Sequence, residues 1–372
     1  MTKKYLSYQK SGCKGVENLD NTTLRRKKIW ITVFIIIQLA FIVTWLADAN
    51  AQSSGPWKFA VLCDTRGDSN PKNMDKSGVN EAVVNSVARD IVKEGAKLVI
   101  IPGDMVNGWY NIRTPYASQF ATWRKAMGPV YEAGIKVYPV RGNHEDGPFL
   151  NNEKYPWPPT EKNNPVSIPI PELKAAFLEA FNDPWIPVNG PDGEKGLTYS
   201  FSYNNAFFIG LDEFVNPIKV NQTWLDSELK SNKFPHIFVY GHDPAFRVNH
   251  TDSLASYPQA RDAFWDSLGN AGVRIYFCGH DHLYNRAHVK NRAGNIIYQV
   301  LAGSGGAPFT KWQPQQYAEG AGVVNDYYDE VHYGYVLVTI DNNKVTMEWK
   351  ALFNKEGPDF WKTMDILEYS LK

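Results

Sequence analysis

Short apolar runs alternate with segments of helical period over the first half of the chain. Lys58–Cys63, Leu98–Pro102 and Lys136–Val140 are runs of strand length. Between the first two, Val79, Val83, Val84, Val87 and Ile91 recur at the spacing of one helix face. Tyr116–Tyr131 repeats the pattern, with Phe120, Trp123, Met127 and Val130 on one side. Strand, helix, strand, helix, strand predicts βαβ units and a largely parallel inner sheet. Further along, Leu197–Tyr203, Ala206–Leu211, His236–Tyr240, Val273–Cys278, Asn295–Leu301, Tyr333–Ile340 and Lys344–Trp349 read as strands. Thr223–Leu229 and Tyr257–Leu268 read as helices. Asp341-Asn342-Asn343 between the last two strands predicts a hairpin turn. Two packed sheets with helices outside them is the economical α/β arrangement for residues 52–372, with no repeat or linker dividing them.

Residues 146–196 break the pattern. They are rich in Pro, Asn and Gly, and only Pro171–Phe181 reads as helix, with Pro at its start. A loop of this length is usually a lid or a surface excursion, so it is expected to wall one side of a cleft. Tyr155, Trp157, Phe181 and Trp185 could stack on a nucleoside or aryl group; packing the loop onto the body is the simpler role.

The first 51 residues follow another rule. Ile29–Ala47 is uncharged and apolar, and Arg25-Arg26-Lys27-Lys28 precede it. That flank orients the N-terminus to the cytoplasm and everything after it outward. Ala49-Asn50-Ala51 is a small-x-small site where signal peptidase would cut before Gln52. Uncut, residues 29–47 are long enough to anchor the chain, since about 20 apolar residues span a bilayer. Either way the body is expected to be exported, to the periplasm or the cell exterior.

Charge changes the picture once the leader is set aside. The whole chain balances 39 basic against 39 acidic residues, but from Gln52 onward it carries 31 basic and 36 acidic ones. A mildly acidic body argues against nucleic acid held on a basic surface. Of three cysteines, Cys13 precedes the apolar segment; Cys63 and Cys278 each end an apolar run. An oxidising compartment would permit a disulfide, but two small buried apolar side chains is the simpler reading.

Five of the apolar runs end in clusters of metal-ligand side chains. These are Asp64-Thr65-Arg66, Gly103-Asp104, Gly142-Asn143-His144-Glu145, Gly241-His242 and Gly279-His280-Asp281-His282. Loops at the C-terminal ends of strands are where open α/β folds bind ligands. Carboxylate, imidazole and amide oxygen together suit Mn, Fe, Zn or Co without a thiolate. Four of the eight histidines (144, 242, 280 and 282) fall in these clusters; His236, His250, His288 and His332 do not. Any one cluster alone reads as a turn or a structural histidine. Five in order do not.

The series Asp-x-Arg, Gly-Asp, Gly-Asn-His-Glu, Gly-His and Gly-His-x-His resembles the signature of the calcineurin-like metallophosphoesterase family. The extended run His280 to Arg286, with Thr198-Tyr199-Ser200-Phe201, Gly210-Leu211-Asp212 and Gln222-Thr223-Trp224-Leu225, is closest to its purple acid phosphatase branch. The resemblance implies a four-layer α/β/β/α sandwich. It implies two metal ions: Asp104 bridging both, Asp64 and His282 completing the first site, and Asn143, His242 and His280 completing the second. It gives His144 a role at the substrate rather than at a metal. The reaction it implies is hydrolysis of a small phosphoester by a metal-bridging hydroxide attacking phosphorus in line. Phosphodiester or nucleotide pyrophosphate hydrolysis uses the same groups, and a catalytically idle binding protein could keep the fold. The sequence departs from the family's usual pattern at Arg66, where a histidine is common, and at Asn107, where a tyrosine is the alternative. Guanidinium cannot ligate, so either the first site is expected to be weak or the enzyme is expected to work with one tightly held ion. Arg66 offers a bidentate fork for a substrate phosphate, or else pairs with a carboxylate such as Asp68. Tyr284 and Arg286 are expected either to reach substrate or to orient His282.

Overall fold

The computed structural model describes residues 55–70, 75–110, 114–146, 170–216, 218–312, 322–353 and 358–371. The expected leader, the small-x-small site and the aromatics Tyr155 and Trp157 lie outside these residues. Among those described, no helix is long and apolar enough to cross a membrane.

Among the described residues, thirteen strands form two sheets. The first holds β1 (Trp57–Val61), β2 (Leu98–Ile101), β3 (Lys136–Pro139), β11 (Gly334–Asp341), β12 (Lys344–Phe353) and β13 (Phe360–Ser370), in the order β13-β12-β11-β1-β2-β3. The second holds β4 (Tyr199–Tyr203), β5 (Ala206–Gly210), β6 (His236–Tyr240), β7 (Ile275–Cys278), β8 (Tyr284–Lys290), β9 (Ile296–Ala302) and β10 (Val324–Asp329), in the order β10-β8-β9-β7-β6-β5-β4. β1, β2 and β3 pair in parallel, as do β5, β6, β7 and β9. The C-terminal ends of each parallel set therefore share one rim.

Three apolar clusters show the layering. Phe59, Val61, Ile100 and Val338 of the first sheet meet Phe208, Phe238, Phe277 and Val300 of the second. Phe59 sits 5.1 Å from Phe208 and 4.9 Å from Phe238, ring centre to ring centre. Such edge contacts each add about 0.5–1.5 kcal/mol beyond the area they bury. The other face of the first sheet packs on α1 (Glu81–Lys93), α2 (Tyr116–Ala126), α3 (Gly128–Glu132) and α5 (Ile170–Ala180). The other face of the second packs on α6 (Gln222–Ser231) and α7 (Pro258–Asn270). This is the α/β/β/α sandwich.

Differences from the pattern-based reading have local causes. The helix expected over Tyr116–Tyr131 divides after Ala126, where Gly128-Pro129 removes an amide donor. The hairpin expected after β11 does form, turning at Asn342, whose φ of 53° is left-handed. Phe177 and Phe181 at the end of α5 lie 6.0 and 5.8 Å from Phe120, and Trp185 Nε1 donates to Val137 O. The described part of the 146–196 insertion is thus packed onto the body. Cys63 and Cys278 are buried free thiols, as the apolar reading had them.

Candidate metal centre

The loops leaving β1, β2 and β7 reach the shared rim in strained conformations. Asp64, Asp104 and His280 have φ of 54°, 50° and 75°. A side chain in the left-handed region costs roughly 1–2 kcal/mol, and strain of this kind gathers at functional sites. Gly103 makes the approach feasible: a Cβ there would lie 2.5 Å from the Gly142 amide nitrogen. A Cβ on Gly279 would collide with Cys63 Sγ and the Asp64 carboxylate. The Glu145 carboxylate locks two loops together, accepting from the amides of Gly142 (2.8 Å), Asp104 (2.9 Å) and Val106 (3.0 Å). It begins the short helix α4 (Asn143–Asp146) with Asn143 and His144.

The rims of the two sheets are clasped by buried charge. Arg141, after β3, reaches Asp212, after β5, through Nε at 2.6 Å and Nη2 at 3.0 Å, and Asp146 through Nη1 at 3.0 Å. Burial opposes ionisation of Asp212, but Arg141 outweighs it and holds the carboxyl below its usual range.

Asn143, His242, His280 and Asp104 converge. His242 Nε2 lies 2.9 Å from Asn143 Oδ1 and 3.4 Å from Asp104 Oδ1. His280 Nδ1 lies 3.1 Å from the same Asn143 oxygen. These separations fit donors around one ion with bonds of about 2.0–2.2 Å. Burial first, and then His280, push His242 down to about 3. The ring is neutral and has one N–H. His242 Nδ1 faces Pro102 O at 3.0 Å, an atom that only accepts, so the proton sits there. The Nε2 lone pair then faces the lone pairs of Asn143 Oδ1, a repulsion that a cation between them relieves. The donor set fits a metal.

Beside it, Asp64, Asp104 and His282 bring ligand atoms within 4.8 Å of one another. Asp64 Oδ1 is buried without a hydrogen-bond partner, and His282 Nε2 is 3.7 Å from it. Burial, and then the Asp104 charge, raise Asp64 well above the usual carboxylate range, so this pocket also needs positive charge. His282 Nδ1 faces Pro308 O at 2.8 Å, leaving its Nε2 lone pair toward the pocket. Arg66 is already there. Its Nη2 is 3.2 Å from His282 Nε2 and its Nε 3.9 Å from Asp104 Oδ2, while Nη1 donates to Gly67 O and Ser69 Oγ. The carboxylate it faces is Asp104, not Asp68.

His144 borders the same space. Its Nδ1 faces Asn107 O at 2.9 Å and its Nε2 lies 3.7 Å from Asp104 Oδ2. Burial first, and then the Arg66 charge, push it well below the usual imidazole range, so the ring is neutral.

All six sequence-chosen donors, with Arg66 and His144, therefore share one rim. The sequence reading missed the groups behind them. Asp252 Oδ1 is 3.1 Å from His280 Nε2. Its charge overcomes the cost of burial and raises His280 to about 10. Asp281 accepts from the amides of Asn249 and His250 and pairs with His250 Nδ1. The His250 ring, set aside from the sequence, stands 4.8 Å from that of His280. Tyr284 and Arg286 take neither expected role: both turn into the sheet, where Asp365 of β13 accepts from Tyr284 Oη (2.8 Å) and Arg286 Nε (2.7 Å).

Two facing sheets, flanked by helices and carrying Asp, Asn and His donors at one rim, define a metallophosphoesterase sandwich. The profile of the calcineurin-like phosphoesterase family matches residues 77–284, more than half of the chain, and the chain belongs to that family. An acid phosphatase of Aspergillus ficuum is 23% identical, with 65% of this chain and 51% of the relative covered. Among solved structures, purple acid phosphatase PPD1 from yellow lupin (Lupinus luteus) seeds superposes with a TM-score of 0.62 at 16% identity, covering 86% of this chain and 54% of that one. A dimetal phosphatase from Danio rerio gives 0.50 at 14% identity, covering 84% and 98%. The likeness to both structures is one of fold. The chain spans about half the length of the acid phosphatase and of the lupin protein.

Proposed function

We propose that this chain is a metal-dependent hydrolase of small phosphate esters, working outside the cytoplasm. The observation that carries this is the meeting of Asp104, Asn143, His242 and His280, with His242 Nε2 2.9 Å from Asn143 Oδ1 while its Nδ1 faces Pro102 O. These four would hold an ion, and Mn, Fe, Zn or Co suits their oxygen and imidazole donors. The bound metal would neutralise phosphoryl oxygens and lower the pKa of water near neutral pH.

The chain's own residues would do the rest. Arg66 would meet a phosphoryl oxygen; its Nε, buried and without a hydrogen-bond partner, supports that role. With its Nδ1–H fixed by Asn107 O, His144 would first take a proton at Nε2, favoured by the negative charge of a bound phosphoryl group, and then steady the charge on phosphorus or return that proton to the leaving oxygen. Asp252, with Oδ1 3.1 Å from His280 Nε2, would keep a proton at that nitrogen, so that it is Nδ1 that gives up its proton and turns a lone pair to the ion. The run at residues 29–47 behind a basic flank supports export, and the acidic body supports a small-molecule substrate rather than nucleic acid.

The test is metal analysis of purified protein joined to a panel of aryl phosphate, bis-aryl phosphate and nucleotides, with His144→Ala as control. Hydrolysis of the monoester above the control is the expected result. Preference for the bis-aryl phosphate or for a nucleotide's pyrophosphate bond would redirect the substrate class within the same chemistry. Metal-loaded protein inert toward the whole panel would overturn the reading.

A further inference from the structure

We propose that the Arg66 guanidinium is a resident cation at the first metal position, so that the protein holds one ion per chain, at Asp104, Asn143, His242 and His280. This rests on the phosphoesterase reading and sharpens it.

A guanidinium stays protonated and has no acceptor. Nη2 at 3.2 Å from His282 Nε2 therefore donates into the lone pair that an ion would need. His282 cannot turn that lone pair elsewhere, because its other nitrogen gives its proton to Pro308 O. Nε at 3.9 Å from Asp104 Oδ2 sets the same charge against the carboxylate that would have bridged two ions. Asp64 and Asp104 are two buried carboxylates in one pocket, and Arg66 is the buried cation beside them. An ion entering here would meet a fixed like charge and find one of its three donors engaged.

The arginine is held in place. Its amide donates to Asp104 O at 3.3 Å, its backbone bridges to Val79, and Nη1 donates to Gly67 O and Ser69 Oγ. Swinging it out would break side-chain bonds and leave the carboxylate pair uncompensated. A guanidinium here offers N–H groups to a phosphoryl oxygen where an ion would offer a coordination site. The role of phosphate contact and the role of counter-charge then fall to the same side chain.

Metal content separates the outcomes without reference to turnover. Full-length protein is loaded with Mn²⁺ alone, desalted and analysed by elemental quantification and electron paramagnetic resonance. One ion per chain and an isolated Mn²⁺ signal are expected. Arg66→His should take up a second ion and show an exchange-coupled pair, and Arg66→Ala should do so more weakly. Two ions in the unaltered protein would overturn the proposal while leaving phosphoester hydrolysis standing. One ion in both variants, each with native circular dichroism, would also overturn it, because the arginine would not be what excludes the second. No bound ion in the unaltered protein would sink this proposal and the metal-dependent reading together.

Discussion

The two sheets contribute different chemistry to the rim they share. The first sheet brings the oxygens, with Asp64 after β1, Asp104 after β2 and Asn143 after β3. The second brings the imidazoles, His242 after β6 and His280 and His282 after β7. They are also held differently. The oxygen side is fixed through backbone: left-handed turns at Asp64 and Asp104, and a Glu145 carboxylate taking three amides. The imidazole side shares one left-handed turn, at His280, but its rings are aimed through their far nitrogens, by Pro102 O, Pro308 O and Asp252. Short hard donors need a rigid main chain to aim them. An imidazole has a second nitrogen by which it can be aimed from behind.

Removing the oxygen that faces both positions should have the largest effect. Asp104→Ala is expected to strip bound metal and lower kcat/KM about 10⁴-fold, since the ion supplies several kcal/mol of charge stabilisation. Retention of a stoichiometric ion on elemental analysis would mean that His242 and His280, with Asn143, hold it without a carboxylate, and the weight given to the oxygen side would fall.

Next is the clasp between the halves. Asp212→Asn leaves Arg141 buried with only Asp146, whose carboxyl burial raises to about 6, and should cost roughly 3–5 kcal/mol of stability at pH 7. The sign of the pH effect follows from the depressed Asp212 value. Its contribution is present above the carboxyl's unfolded value and is lost as pH falls through the lower folded one. The gap between the native protein and the variant in urea unfolding should therefore narrow below about pH 4, near the ordinary carboxyl value. A gap constant from pH 7 to pH 3 would show that the ion pair is not what joins the rims.

The same division explains what could be read from the chain. Both sheets' donors were legible because each follows an apolar strand, with a glycine before every cluster but that of Asp64, so order alone placed them on one rim. Sequence could not tell that Asp252 stands behind His280, because residues 241–252 carry no periodic signal and cross from one cluster to the next as loop. Asp365, partner of Tyr284 and Arg286, lies in β13, an edge strand with alternating exposed positions such as Phe360 and Ile366. Such a strand shows no continuous apolar run, and neither do β10, whose Val324–Asp329 runs mostly exposed along the other sheet's edge, and β8, whose Tyr284–Lys290 buries polar side chains such as Asn285 between two neighbouring strands. Residue order offered Asp68 as one of two partners for Arg66, beside a substrate phosphate, whereas the turn after β1 carries the guanidinium to Asp104 and His282.

His144 belongs to the oxygen side by position but is not one of its donors. His144→Ala should lower kcat about 10²–10³-fold, within the usual range for a positioned acid or base. Bound metal should be unchanged on elemental analysis. Loss of metal together with activity would make His144 part of the holding apparatus instead, and the oxygen side would then contain an imidazole of its own.

The smallest effect tests the imidazole side from behind. Asp252 touches His280 at the nitrogen away from the site, with Oδ1 at 3.1 Å, and is about 30% exposed. Asp252→Asn keeps an oxygen at that place but removes the negative charge that favours Nε2–H and makes Nδ1 a better donor. Substitutions of this kind typically weaken metal affinity about 10–100-fold. The shift should appear as a higher Mn²⁺ concentration for half-saturation in a calorimetric titration, with a smaller loss of folding stability than removal of Glu145 brings. On the oxygen side, a comparable removal at Glu145 would leave three amides without their acceptor and should destabilise the fold itself. If Asp252→Asn also lowered stability by several kcal/mol, the two sides would be built alike, and the contrast between backbone-aimed oxygens and rear-aimed imidazoles would not hold.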